Sequence, residues 1–165
     1  MNLSELLHED LICTDLSETT KEGVLRALVD HLVDRGVITD GEEILRLLLE
    51  REQLMTTGVR TGFAIPHTFA EQLSHSVVAL GHSPGGVDWQ SLDQEPVQYV
   101  FLILGPPRNA GAHLRLLARL SRLLTNADFV HRLTQSRTPA EMFQAVVASE
   151  NELALCGQTP GAHGG

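Results

Sequence analysis

Between residues 18 and 35, apolar side chains return every three or four positions: Val24, Leu25, Leu28, Val29, Leu32 and Val33. That period predicts an amphipathic helix. Thr19 with Glu22 makes a capping box at its start, and Gly36 stops it in the C′ position. A second helix is predicted from Thr39, with Glu42 completing another capping box. Ile44, Leu45, Leu48 and Leu49 share one face, and Arg51 and Glu52 fall at its C-terminal end. The pattern then changes period. Phe63-Ala64-Ile65 reads as a short strand ended by Pro66, which removes a backbone donor. Ser76 to Gly81 reads as another, bounded by a loop at Ser83-Pro84-Gly85-Gly86, and Val87-Asp88-Trp89 as a short edge segment. Val97 to Leu104 is apolar almost throughout, as expected of a central strand covered on both faces by helices.

Gly105-Pro106-Pro107 forces a loop after that strand. A helix follows from about Asn109 to Leu124, with Leu116, Leu117, Leu120, Leu123 and Leu124 facing inward. A shorter one spans Asp128 to Gln135. The last opens with Thr138 as N-cap, Pro139 at N1 and Glu141 at N3, and turns Met142, Phe143, Val146 and Val147 inward. Residues 151–165, rich in Gly and ending in a Gly pair, are expected to be a disordered tail. Strands mixed with helices predict an α/β fold: a single layered domain over residues 1–150, with a small mixed sheet flanked by helices.

Composition narrows the function. At 165 residues the chain fits one domain with a full core. A net charge of −9, with only 12 Lys and Arg, excludes the basic face that nucleic acid demands and favours a basic protein partner. No apolar run approaches the roughly 18 residues that span a bilayer. The start, Met1 to Glu5, lacks the basic and apolar regions of a secretion signal. Cys13 and Cys156 have no metal-like spacing and read as ordinary thiols of a reducing cytoplasm.

The candidate chemistry lies at Gly62-Phe63-Ala64-Ile65-Pro66-His67. A histidine directly after a proline, at the rim of an apolar run, is placed for nucleophilic work near pH 7. The polar turn before it, Thr56-Thr57-Gly58, supplies hydroxyls and glycine backbone N–H groups that suit an anion. His113 lies in the first turn of its helix, after Asn109-Ala110-Gly111-Ala112, where a second imidazole can face the same phosphoryl group. No Asp/His cluster has ligand spacing, so no metal and no cofactor are expected. His8, His31, His75, His82, His131 and His163 have no supporting motif, although His82 ends a strand beside the expected site. Asp88 and Asp93 fit turn and cap roles better than an acid/base pair.

From Arg51 to about Leu133 the chain resembles the IIA domain of the phosphoenolpyruvate–sugar phosphotransferase system, in its mannitol/fructose/nitrogen-regulatory branch. The resemblance rests on Arg51-Glu52, Thr56-Thr57-Gly58 and Ala64-Ile65-Pro66-His67. It continues through Gly86-Val87-Asp88-Trp89, Leu92-Asp93, Pro96-Val97, the run Tyr99 to Leu104, and His113-Leu114. It implies a phosphohistidine carrier. His67 would accept through Nε2, with His113 as the second active-site histidine and Arg51 as the cation that meets phosphate. Thr57 would donate its hydroxyl and Gly58 its N–H, with Thr56 beside them. Arg60 departs from the family, which usually has a glycine there.

The implied partners are an HPr-like phosphocarrier as donor and the cysteine of a IIB domain as acceptor. The membrane would be reached only indirectly, through a IIC partner. No IIB or IIC segment follows, so a stand-alone IIA unit is expected. Two alternatives remain: a nitrogen-branch regulatory protein whose phosphorylation controls binding to transporters or kinases, and a module that no longer takes phosphate, with Arg60 the telling change.

Overall fold

The structure, a computed structural model, describes residues 2–157, apart from the side chains of Arg60 and Cys156. Six helices and six strands make up the described chain. The helices are α1 (Leu3–Leu6), α2 (Lys21–Asp34), α3 (Gly41–Leu54), α4 (Ala110–Leu124), α5 (Ala127–Gln135) and α6 (Pro139–Gly157). The strands are β1 (Ile12–Cys13), β2 (Gly58–Arg60), β3 (Phe63–Ala64), β4 (His67–Phe69), β5 (Val77–Val87) and β6 (Val97–Gly105).

The strands form one mixed sheet in the order β1-β5-β6-β3-β2, with β4 also paired to β6. β6 is its centre, antiparallel to β5 and parallel to both β3 and β4. Its side chains alternate between two apolar layers. Val100, Leu102 and Leu104 pack with α2 and α3 residues such as Leu28 and Leu48. Tyr99, Phe101 and Ile103 pack with Leu3 of α1, Leu120 of α4, Phe129 of α5 and Met142 of α6. The mixed sheet flanked by helices is therefore the one the pattern predicts, because a strand apolar on both faces needs a layer over each.

Several boundaries differ. The cap of α2 is Thr20, whose side chain accepts from the Gly23 N–H, and the cap of α3 is Asp40, accepting from Glu43. Each lies one residue past the predicted threonine. Thr39 instead bonds Gln72. Gly36 takes φ +73° after α2 and donates to Val33, while Val37 donates to Leu32, which satisfies two end carbonyls. The predicted loop Ser83-Pro84-Gly85-Gly86 lies inside β5, which passes through it with a register shift between His82 and Val87. A bulge tolerates Gly and Pro where a regular ladder does not. β1 and β2 were not signalled, being only 2 and 3 residues long.

Helix α6 continues through Gly157, beyond Glu152, where the composition turned. The remainder of the expected disordered tail, residues 158–165, lies outside the described residues. Among the described residues no helix is long and apolar enough to cross a membrane.

Candidate active site

The chain reaches His67 through a break in the sheet edge. β3 ends at Ala64, the Ile65 N–H donates to the Thr57 carbonyl, and the Pro66 carbonyl accepts from Ile103. Pairing then resumes with His67 opposite Ile103. His67 thus begins a second strand segment instead of closing the first, because Pro66 interrupts the ladder only where its own N–H is missing. His67 Nδ1 donates to the Ile65 carbonyl at 2.7 Å. A carbonyl oxygen can only accept, so Nδ1 carries the proton and Nε2 keeps the basic lone pair. Burial pulls the His67 pKa below its ordinary value, and the nearby Arg51 charge pulls the same way. The Ile65 bond and the Glu52 carboxylate oppose them. The net result is a ring that is neutral at pH 7.

His113 is brought to the same place from α4. Its ring centroid lies 5.7 Å from that of His67 at an angle of 52°, and Phe69 covers it with a centroid distance of 4.5 Å. Only 2% of His113 is exposed. Burial, and then the charge of His67, lower its pKa to about 4. Its Nδ1 is buried with no hydrogen-bond partner. The ring sits against Gly105, where a Cβ would stand 3.3 Å from Nδ1 and 3.4 Å from Ser76 Oγ. Gly105 is therefore the residue that makes room for the ring. Residues 109–112 are the end of a short 3₁₀ turn and the first turn of α4, close to the predicted helix start at Asn109.

Arg51 sits in the last turn of α3, where Nη1 donates to the Met55 carbonyl at 2.9 Å. A cation suits that helix end.

In the turn 56–58 both threonine hydroxyls and the Thr57 and Gly58 N–H groups are bonded within the protein. The Thr57 hydroxyl donates to Glu52 and accepts from Trp89 Nε1 at 3.2 Å, and Thr57 is 3% exposed. The Gly58 N–H donates to Thr56 Oγ1, which itself donates to the Trp89 carbonyl. In this structure the groups of Thr57 and Gly58 expected to meet phosphate bond within the protein, and the three residues brace one another. Gly58 is glycine for a packing reason, since a Cβ there would stand 2.0 Å from Ser91 Oγ. Arg60 lies in β2, and its side chain is outside the described residues.

Sequence reasoning missed the support behind this turn. Glu52 is buried, accepts from the Thr57 N–H at 3.2 Å, and pairs with Lys21 at 3.0 Å. Lys21 also lies 5.5 Å from the Trp89 ring centre. A charged residue on the buried face of α3 was the available signal for Glu52. Nothing local links it to Lys21, 31 residues earlier.

His82 is not at the site. It pairs with Tyr99, four residues along β6 from the Ile103 that faces His67, and stacks on the Tyr99 ring at 4.5 Å. That is roughly 13 Å away at the usual strand rise. Asp88 and Asp93 accept from the Gln90 and Glu95 backbone N–H groups, the turn roles expected of them. Among the described residues no group of three or more His, Cys, Asp or Glu is arranged to hold a metal ion.

Comparison with known proteins gives the chain's family and supports its fold. Residues 5–148 match the family model described as "Phosphoenolpyruvate-dependent sugar phosphotransferase system, EIIA 2". The chain is 35% identical over 137 residues to the "PTS system fructose-specific EIIA component" of Haloferax volcanii, covering 83% of this chain and 89% of that protein. It is 30% identical over 148 residues to a "Nitrogen regulatory protein" of Bradyrhizobium diazoefficiens, covering 88% of this chain and 95% of that one. The crystal structure of Nitrogen Regulatory Protein IIA-Ntr from Neisseria meningitidis has the same fold. Its TM-score is 0.81 at 22% identity, with 87% of this chain and 98% of that chain covered.

Proposed function

We propose, on the premise that this chain belongs to the EIIA 2 family of the phosphoenolpyruvate-dependent sugar phosphotransferase system, that it is a phosphocarrier acting through Nε2 of His67. The observation that carries the reading is the Nδ1–H bond to the Ile65 carbonyl, which leaves Nε2 as the nucleophilic nitrogen. An HPr-like donor presents a phosphohistidine. Its P–N bond breaks with the electron pair left on the donor ring, and a new P–N bond forms to His67 Nε2. The His67 ring gains positive character as it loses its lone pair, and the Ile65 carbonyl stabilises that charge through Nδ1–H. No proton has to leave.

The neighbours fit supporting roles. A His113 pKa near 4 keeps that ring neutral at pH 7, so it presents one N–H as a hydrogen-bond donor to a phosphoryl oxygen. Arg51 supplies the charge that neutralises the other oxygens. Thr56, Thr57 and Gly58 act indirectly, by holding the floor from which Ile65 is bonded. Transfer between imidazoles needs alignment and charge neutralisation and no metal. The carrier works in the cytoplasm and meets the membrane only through a IIC partner.

The acceptor is the cysteine of a IIB domain. The similarity to a nitrogen regulatory protein over 95% of that protein's length favours a second reading, in which the phosphorylated state itself is the output. A phosphoryl group adds about −1.5 to −2 charge to the docking face.

The test is intact mass after incubation with phosphoenolpyruvate, enzyme I and HPr, followed by addition of a fructose- or mannitol-type IIB domain. A gain of one phosphoryl group, lost in mild acid, supports the carrier. Its disappearance on adding IIB favours sugar transfer, and its persistence favours regulation. No gain while HPr is itself phosphorylated overturns the reading.

A further inference from the structure

His113 Nδ1 is a polar atom that the transfer chemistry leaves unexplained. It is buried without a hydrogen-bond partner, and a native fold ordinarily satisfies such an atom. Its surroundings are set by the sheet. Val77 opens β5 opposite Leu104, so the antiparallel register carries Ser76 alongside Gly105, while Phe69 flanks Gly105 from β4. Ser76 also continues the row of Val78 and Leu80, which pack into the layer that holds Leu116 and Leu120 of α4. A hydroxyl therefore stands where the alternation calls for an apolar side chain, and Ser76 is only 5% exposed.

Gly105 brings the two polar groups together. His113 Nδ1 and Ser76 Oγ lie 3.3 Å and 3.4 Å from the one point that a Gly105 Cβ would fill. The Gly105 carbonyl itself is taken by the Ala70 N–H at 2.9 Å. Arg108 donates to the Ser74 carbonyl at 3.0 Å, which ties the segment before Ser76 to the turn leading into α4. Strand pairing and this bond hold the serine beside the ring, and a turn about χ1 from one staggered rotamer to another aims its hydroxyl at Nδ1.

We propose that Ser76 is a positioning residue whose hydroxyl donates to His113 Nδ1 and so keeps the proton of that ring on Nε2. The direction of the bond rests on the carrier reading above. Nδ1 lies against Gly105, so Nε2 is the nitrogen left to meet a phosphoryl oxygen, and it attracts one only as N–H. With the proton on Nδ1, a lone pair would face the oxygens and repel them. A hydrogen bond donated to the Nδ1 lone pair also favours the neutral ring, in the same direction as burial. At His67 the device is reversed: a backbone carbonyl accepts from Nδ1 and leaves the lone pair on Nε2. The two rings then offer the phosphoryl group complementary edges, a nucleophilic lone pair from one and an N–H from the other.

The test is long-range ¹H–¹⁵N NMR of both rings at neutral pH in the native chain, Ser76→Ala and Ser76→Thr. His113 is expected as the Nε2–H tautomer in the native chain and in Ser76→Thr, and as a mixture of tautomers in Ser76→Ala. His67 should stay Nδ1–H in every chain, which reports an intact site. In rapid-quench transfer from phosphorylated HPr, Ser76→Ala should be slower by about tenfold at saturating donor, and Ser76→Thr should restore the rate. A native His113 with its proton on Nδ1, or the same His113 signals in the native chain and Ser76→Ala, overturns the proposal. So does a slow Ser76→Ala whose rings are unshifted, because that loss would be structural alone. If HPr labels none of the chains, the carrier reading falls, and the ring signals by themselves decide the role of Ser76.

Discussion

His67 and His113 face each other across 5.7 Å, yet the protein holds them in opposite ways. His67 comes from the sheet, half-buried, with its rear nitrogen tied to a backbone carbonyl. His113 comes from a helix, buried, with its rear nitrogen unpartnered. A tied ring has one tautomer and a defined basic nitrogen. An untied buried ring is held by packing against Gly105 and Phe69 and resists protonation because nothing compensates a charge there. The pair shows how two identical side chains are given different states: a backbone bond fixes the tautomer of one, and desolvation keeps the other neutral.

The most severe way to break the comparison is to delete each ring in turn. His67→Ala should abolish acid-labile labelling altogether, since no other nitrogen occupies its place. His113→Ala should retain labelling but slow transfer by about 10²–10³, the usual loss for one oxyanion-type donor. Rapid-quench transfer rates measure this, and equal rates in the His113 variant would end the distinction.

Next in size is the support beneath His67. Glu52→Ala leaves Lys21 without its partner and frees the Thr57 hydroxyl, at a cost of about 3–5 kcal/mol in urea unfolding. A loss below 1 kcal/mol would show that Glu52 holds nothing in place. Thr57→Val is subtler. It removes the donor to Glu52 and the acceptor for Trp89, costing about 1–3 kcal/mol. Transfer by the folded variant should be nearly unchanged. A large fall in rate with little loss of stability would return Thr57 to the phosphate-donor role.

The last test is of pH. The folded-state pKa of His113 lies below its unfolded value, at about 4 against 6.5. The unfolded chain therefore binds the extra proton more readily, and stability falls as pH drops through that window, reaching its full loss below about 4. His113→Gln should flatten this part of the stability–pH curve, while His67→Gln should flatten it less. Identical curves for the two variants would mean that burial does not separate the rings.

The parts of this arrangement differed in how far they could be read beforehand. β6 was legible because the six apolar residues in succession from Tyr99 to Leu104 admit few other readings, and α2 to α6 followed from their period. The pairing of His67 with His113 came from ordered motifs recognised by resemblance. Cap positions slipped by one because adjacent Thr19-Thr20 and Thr39-Asp40 are chemically interchangeable in a pattern. Only tertiary contact with Gln72 selects Asp40 over Thr39. The orientation of Thr57 was illegible for a deeper reason. Whether a hydroxyl points at a ligand or at a buried carboxylate depends on the rotamer of a partner five residues back, which the helical period places on the buried face but does not aim.

Glu150 carries a separate consequence. From α6 its carboxylate accepts the Leu3 and Ser4 N–H groups at 2.8 Å each, capping α1 from 146 residues away, while it pairs with Arg119. One side chain therefore serves as a shared latch for the first helix, the last helix and the helix that carries His113. Local openings of α1 and α6 are coupled through it, and slow hydrogen exchange should report them as a single breathing unit. A lesion at either end of the described chain would then be felt, through Arg119, on the helix that holds His113.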